Sequence, residues 1–398
     1  MADSPRLPSP RASVADAARA ISPVLVLVAG AHFFNDIYMG FLTPLYAIIQ
    51  DKFGLSLSMV GAVSMIAALA SALSQPFFGL LFDRVGGAAS IYLAPLLTGV
   101  LVSALGLAPS FGLFLVLLSL GCLGSAAFHP KGASVTPTLS GSHPEVGMAI
   151  FSAGGNLGFA AGPAVIAFFI SRWGFGATPI LAVPAALVAG CLALLLPARS
   201  ARRKMAAPVS LRSLVQDRHD LVMLGRLVFI NFCLNVGVRG LSTFLPVYMA
   251  HQGVSVTAIG GLFTGMLALG AIASIFVSQL SRRTGKRSLI LLSAAAGAPL
   301  AVAGYILFPH PAGIVLIIAA GTILTFSNPL LILQAQKHSR GSPAVASSLI
   351  MGLSWGLAGL AMVPLGALGE IVGMPAMMIV AAAFPLLCVF SCRRITRD

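Results

Sequence analysis

The chain has 398 residues, of which 58% are hydrophobic and only 9% charged, and its mean hydropathy is +0.98. Soluble domains carry about 25% charged residues, so no water-soluble core absorbs this much apolar surface and the bilayer must act as solvent. A net charge of +14 would suggest nucleic acid in a soluble protein, but its placement along the chain gives a membrane topology and excludes that partner.

Hydropathy divides the sequence into roughly twelve apolar runs, each long enough as a helix to cross ~30 Å of hydrocarbon. The short alternating segments of a membrane β-barrel are absent from the pattern. Residues 1–20 are rich in Pro, Ser, Ala and Arg and read as a disordered tail. The run behind them is too long for a cleaved signal segment, so it reads as a retained first helix.

That first helix carries "AHFFNDIYMG", Ala31 to Gly40. His32 and Asp36 are four apart and share one helical face near mid-membrane. A carboxylate in low dielectric is costly and marks a functional site by default. Asp36 is therefore expected to be the proton carrier, with His32 and Asn35 holding or relaying the proton and Tyr38 beside them facing the substrate. The competing structural reading is a neutral Asp36 hydrogen-bonded to a neighbouring helix.

"FHPKG" in the fourth helix and "FSNP" in the tenth each place proline inside a span. Carbonyls freed by proline must face protein or a water-filled cavity, so His129 and Asn328 are expected at the inner vestibule, as hinges or as cavity-lining groups. Lys131 is expected at the membrane interface. The seventh helix bears Asn231, Asn235 and Arg239 at spacing four, a polar stripe suited to a substrate. Arg239 stays charged and needs a partner, either Asp36 or an anionic cargo. Trp355 in the eleventh helix is a candidate for stacking on substrate. The five cysteines read as small packing residues.

Four short matches, including "PLY" at Pro44 with "PVY" at Pro246, recur in chain order at an offset of about 200 residues. The chain therefore reads as two homologous six-helix bundles, 21–197 and 220–392, with a basic linker at 198–219 and a tail at 393–398. About 20 Lys/Arg fall in the tails and one alternating set of loops, which puts both termini in the cytoplasm. Two parallel repeats around a midplane site suit alternating access. No H-E-x-x-H or P-loop pattern occurs, and "GLSWG" at Gly352, a literal G-x-S-x-G, lies inside an apolar run rather than at a strand-to-helix turn, so neither an intramembrane enzyme nor ATP coupling is favoured. No cofactor or resident metal is expected.

"GLLFDRVGG" at Gly79 and "GFAAGP" at Gly158 resemble signatures of the major facilitator superfamily. "AHFFNDIYMGFLTPL", "GSAAFHPKGAS" and "AIFSAGGNLGFAAGP" are similar to its fosmidomycin resistance branch, which often has an acidic residue where Lys131 stands. The resemblance implies a twelve-helix all-α transporter in the cytoplasmic membrane, working as a monomer. It implies proton-driven efflux of a small anionic or amphiphilic compound, with uptake by proton symport as the alternative. It also implies a gating role for Asp83 and Arg84 in the loop after the second helix.

Overall fold

The computed structural model describes residues 22–75, 77–78, 81, 89–140, 143–196, 218–339, 346–347 and 349–395. Asp83, Arg84, the tail at 1–20 and most of the linker lie outside these residues. Among the described residues all regular structure is helical. In order its spans are α1 (Pro23–Phe53), α2 (Leu57–Ala72), α3 (Ser90–Leu107), α4 (Phe111–Leu139), α5 (Pro144–Trp173) and α6 (Phe175–Leu195). The second half contributes α7 (Arg218–His251), α8 (Val256–Thr284), α9 (Lys286–Leu307), α10 (Pro311–Lys337), α11 (Leu349–Val372) and α12 (Met374–Cys392). Eleven of these are long and apolar enough to cross a membrane. The exception is α2, which is apolar but has 16 residues as a regular helix.

Local chemistry sets the helix ends. Ser22, Ser56, Ser110 and Ser255 cap α1, α2, α4 and α8, each hydroxyl accepting from the amide three residues on. Pro23, Pro144 and Pro311 occupy the first turn, where the missing N–H costs nothing. Gly54, at φ 61°, ends α1 in the left-handed conformation that glycine adopts without strain. Large apolar side chains such as Leu187, Leu194, Ile275 and Phe390 are more than 60% exposed, as expected where lipid replaces water.

The polar face of α1 is positioned by α5. Gly154, Gly158 and Gly162 recur every fourth residue, and a Cβ at each would strike the carbonyl of Ala29, Phe33 or Ile37. Only a small-residue stripe lets two helices approach this closely. Gly158→Ala is expected to force the pair apart and to destabilise the protein by about 1–3 kcal/mol, the usual cost of overpacking. A lower thermal midpoint in detergent checks this, with Gly190→Ala, which meets nothing within 4 Å, as the unchanged control.

The two halves meet along α2–α11, α5–α8 and α1–α7. The Ser58 amide donates to Glu370 Oε1 at 2.8 Å, so a carboxylate at the end of α11 caps the start of α2. Thr243 on α7 donates to Ser64 on α2 at 2.9 Å, both fully buried. The Ala164 amide on α5 donates to Thr264 Oγ1 on α8 at 3.0 Å. The second half is the less regular one: α10 breaks at Ser327 and α11 opens with a π-helical turn, Leu349–Leu353.

Candidate functional site

The polar residues of α1 meet α4 and α5 rather than the second half. His32 and Asp36 lie a turn apart, with His32 Nε2 3.2 Å from Asp36 Oδ2. His129 reaches across from α4 and puts its Nε2 3.3 Å from Asp36 Oδ1. Asn35, fully buried, donates to Asp36 Oδ1 at 2.8 Å and to Ser125 Oγ at 2.9 Å. Three ionisable groups from two helices thus form one cluster.

Backbone contacts fix both rings. His32 Nδ1 lies 2.8 Å from the Phe151 carbonyl, and His129 Nδ1 lies 2.7 Å from the Ser125 carbonyl. A carbonyl only accepts, so we assign the proton of each neutral imidazole to Nδ1. Each Nε2 then faces a carboxylate oxygen, lone pair against lone pair, unless a proton sits between them. Satisfying both contacts takes two added protons and gives the trio a net charge of +1; without them its charge is −1. The His32 ring also stacks on Phe151 at 4.0 Å.

Access to the trio is one-sided. Side-chain exposure rises from 9% at His32 to 15% at Asp36 and 30% at His129, so the cluster is reached from the α4 side. On the α5 side a Cβ at Gly155 would strike the His32 ring and come within 2.8 Å of Asp36 Oδ2. Gly155 is thus the wall of the cluster on that side. Lys131 is 6% exposed, against the expectation that it lies at the interface. Two residues from His129, it projects from the opposite side of α4, since each residue turns the helix by about 100°.

Arg239 does not pair with Asp36. Among the described residues it has no acidic partner; its guanidinium lies over Trp355, 5.5 Å from the ring centroid, and its buried Nε has no hydrogen-bond partner. Such a cation keeps donors in reserve for an anion. Trp355 is 37% exposed.

The other expected ligands are engaged elsewhere. Asn231 donates to the Ile350 carbonyl in the π turn at 2.7 Å, and Asn235 donates to the Asn231 carbonyl at 2.8 Å. The Tyr38 hydroxyl donates to the Leu181 carbonyl at 2.6 Å. These three side chains spend donors on backbone within their own half. Asn328 starts the second segment of α10, half-buried. Sequence reasoning missed Ser125 and Phe151, whose carbonyls, which leave no trace in residue type, hold the two rings, while the Ser125 hydroxyl accepts from Asn35 and the Phe151 ring stacks on His32.

Residues 28–363 match the profile of the Major Facilitator Superfamily. The fosmidomycin resistance protein of Escherichia coli (strain K12) is 25% identical over 97% of this chain and 96% of its own length. An uncharacterized MFS-type transporter, YfnC, of Bacillus subtilis (strain 168) is 27% identical over 93% and 92%. Among solved structures, the nucleoside transporter NupG superposes with a TM-score of 0.73 at 15% identity, covering 94% of this chain and 99% of that one. An occupied, inward-facing bacterial homologue of the human lysosomal transporter Spinster gives 0.69 at 17% identity, covering 94% and 97%. With most of its spans inside the matched region, the chain belongs to the Major Facilitator Superfamily and is a multi-pass transporter of small molecules, not an enzyme.

Proposed function

We propose that the protein exports a small anionic or amphiphilic compound in exchange for protons, as a monomer in the cytoplasmic membrane. The reading rests on one observation above all: a carboxylate held between two imidazoles whose Nε2 atoms lack donors unless protons are bound. Cargo N–H or O–H groups that satisfy the same acceptors compete with those protons. Two ligands that exclude one another from one set of atoms are coupled negatively, which is the sign that exchange requires. Arg239 over Trp355 takes the acidic end of the cargo. The name of the 25% identical Escherichia coli relative supports a drug-like compound and efflux.

In this reading the bundles 21–197 and 220–392 rock about the outer contacts, and Asp83 with Arg84 gates the cytoplasmic side. Purified protein in liposomes tests the exchange. With fosmidomycin as probe, an imposed pH gradient is expected to drive it opposite to proton flow. Movement in the same direction would replace export with the symport alternative, and movement indifferent to the gradient would remove proton coupling.

A further inference from the structure

We infer that His32, Asp36 and His129 form a binding site for one divalent transition-metal ion of the zinc class. No cofactor or metal is expected from the sequence, because His129 lies far from the other two in the chain and on another helix. The fold supplies what the spacing conceals: one ligand atom from each of the three residues, all within 4.8 Å of one another.

Further features make this more than proximity. Both imidazoles are oriented by Nδ1–H donation to backbone carbonyls of Phe151 and Ser125, the outer-shell arrangement that presents Nε2 to a metal. The Nε2–carboxylate separations are 3.2 and 3.3 Å. A tetrahedral ion with ligand bonds of about 2.0–2.1 Å has ligand–ligand edges of about 3.3 Å. Each imidazole already lies that far from one of the two carboxylate oxygens, and the three ligand atoms, within 4.8 Å of one another, draw together on binding.

The donor set, two imidazoles and a carboxylate, suits zinc, cobalt, nickel or copper and not magnesium or calcium, which prefer oxygen alone. The charge also balances. A dication with the Asp36 carboxylate and two neutral imidazoles gives +1, the charge of the trio with two added protons.

The coordination shell has room to close. Gly155 blocks the α5 side, while the 30% exposed His129 opens on the other, where water or a cargo donor takes the fourth position. Because ligands must be proton-free, metal and protons exclude each other here. The ion therefore acts on the proposed exchange as a competitor for the coupling site.

The inference rests on geometry and is tested apart from transport. Cobalt(II) titrated into untagged purified protein above neutral pH is expected to give the visible bands of a four-coordinate ion. They should saturate at one equivalent and disappear on adding zinc. His32→Gln and His129→Gln should each weaken binding at least tenfold, and the double variant should abolish the bands. Featureless spectra from the wild type overturn the site without any variant. Bands that survive in the double variant place the metal elsewhere, for instance at His338 just past α10 and Asp220 at the start of α7, whose Nδ1 and Oδ1 lie 2.9 Å apart, and also overturn it. A normal cobalt spectrum with proton-independent transport would instead leave the site standing and remove the exchange mechanism.

Discussion

Asp36→Asn is expected to abolish gradient-driven transport while leaving downhill exchange of cargo. The side chain accepts from three donors or protonated groups, His32, His129 and Asn35, and is the one carboxylate of the trio. An amide of the same shape keeps packing against Gly155 but neither binds nor releases a proton. Two charge-assisted contacts at about 1.5–3 kcal/mol each put the loss in driven transport at a hundredfold or more. Liposomes carrying the variant, compared with and without a pH gradient, measure this. Accumulation equal to the wild type would dismiss Asp36 as the coupling group. Asp36→Glu should not rescue fully, because the Gly155 wall leaves no space for another methylene.

Arg239→Gln is expected to separate binding from stability. Losing one partner of a buried, hydrogen-bonded charge pair costs about 2–5 kcal/mol, so affinity for an anionic cargo should fall at least thirtyfold. The empty protein should become more heat-resistant, because a half-buried cation whose buried Nε is unpartnered has been removed. Arg239→Lys retains charge but loses the planar fork and the stacking on Trp355, and should bind at an intermediate level. Calorimetric titration and thermal unfolding on the same preparations check both signs. Unchanged affinity in the glutamine variant would assign Arg239 to structure alone.

Much of the architecture is legible in the sequence because span length is a local property. Apolar runs, serine caps and prolines at helix starts mark most of the helices without reference to neighbours. The interruption of α2 at Leu73 and Ser74 is not visible this way, since hydropathy runs through it and helix resumes at Gln75, Phe77 and Phe78. His32 and Asp36 are identifiable as a pair from their spacing alone.

The union of Asp36 with His129 is not identifiable, because it depends on how α4 packs against α1. Pairing Asp36 with Arg239 was a reasonable expectation from the internal repeat. The repeat aligns depth, however: the 202-residue offset from Pro44 to Pro246 carries Asp36 to position 238, and the one further residue to Arg239 turns a helix by about 100°, so equal depth does not mean facing. The Asn231 stripe similarly looks like a lining of the cavity. Its first member instead satisfies the Ile350 carbonyl in the π turn, an irregularity that composition does not announce.

The uneven regularity of the two bundles has a mechanical consequence. The glycine-keyed α1–α5 pair makes the first bundle a stiff stator, with its ionisable trio on α4 and on the part of α1 that precedes its break at Phe41. The second bundle, jointed at Ser327 and slackened by an extra residue per turn at Leu349–Leu353, is the compliant arm. Strain from closing around cargo should therefore be absorbed on the arginine side, letting the cargo reshape its own cradle while the proton store keeps its geometry. Tolerance for chemically varied cargo would then reside in one bundle and fidelity of coupling in the other.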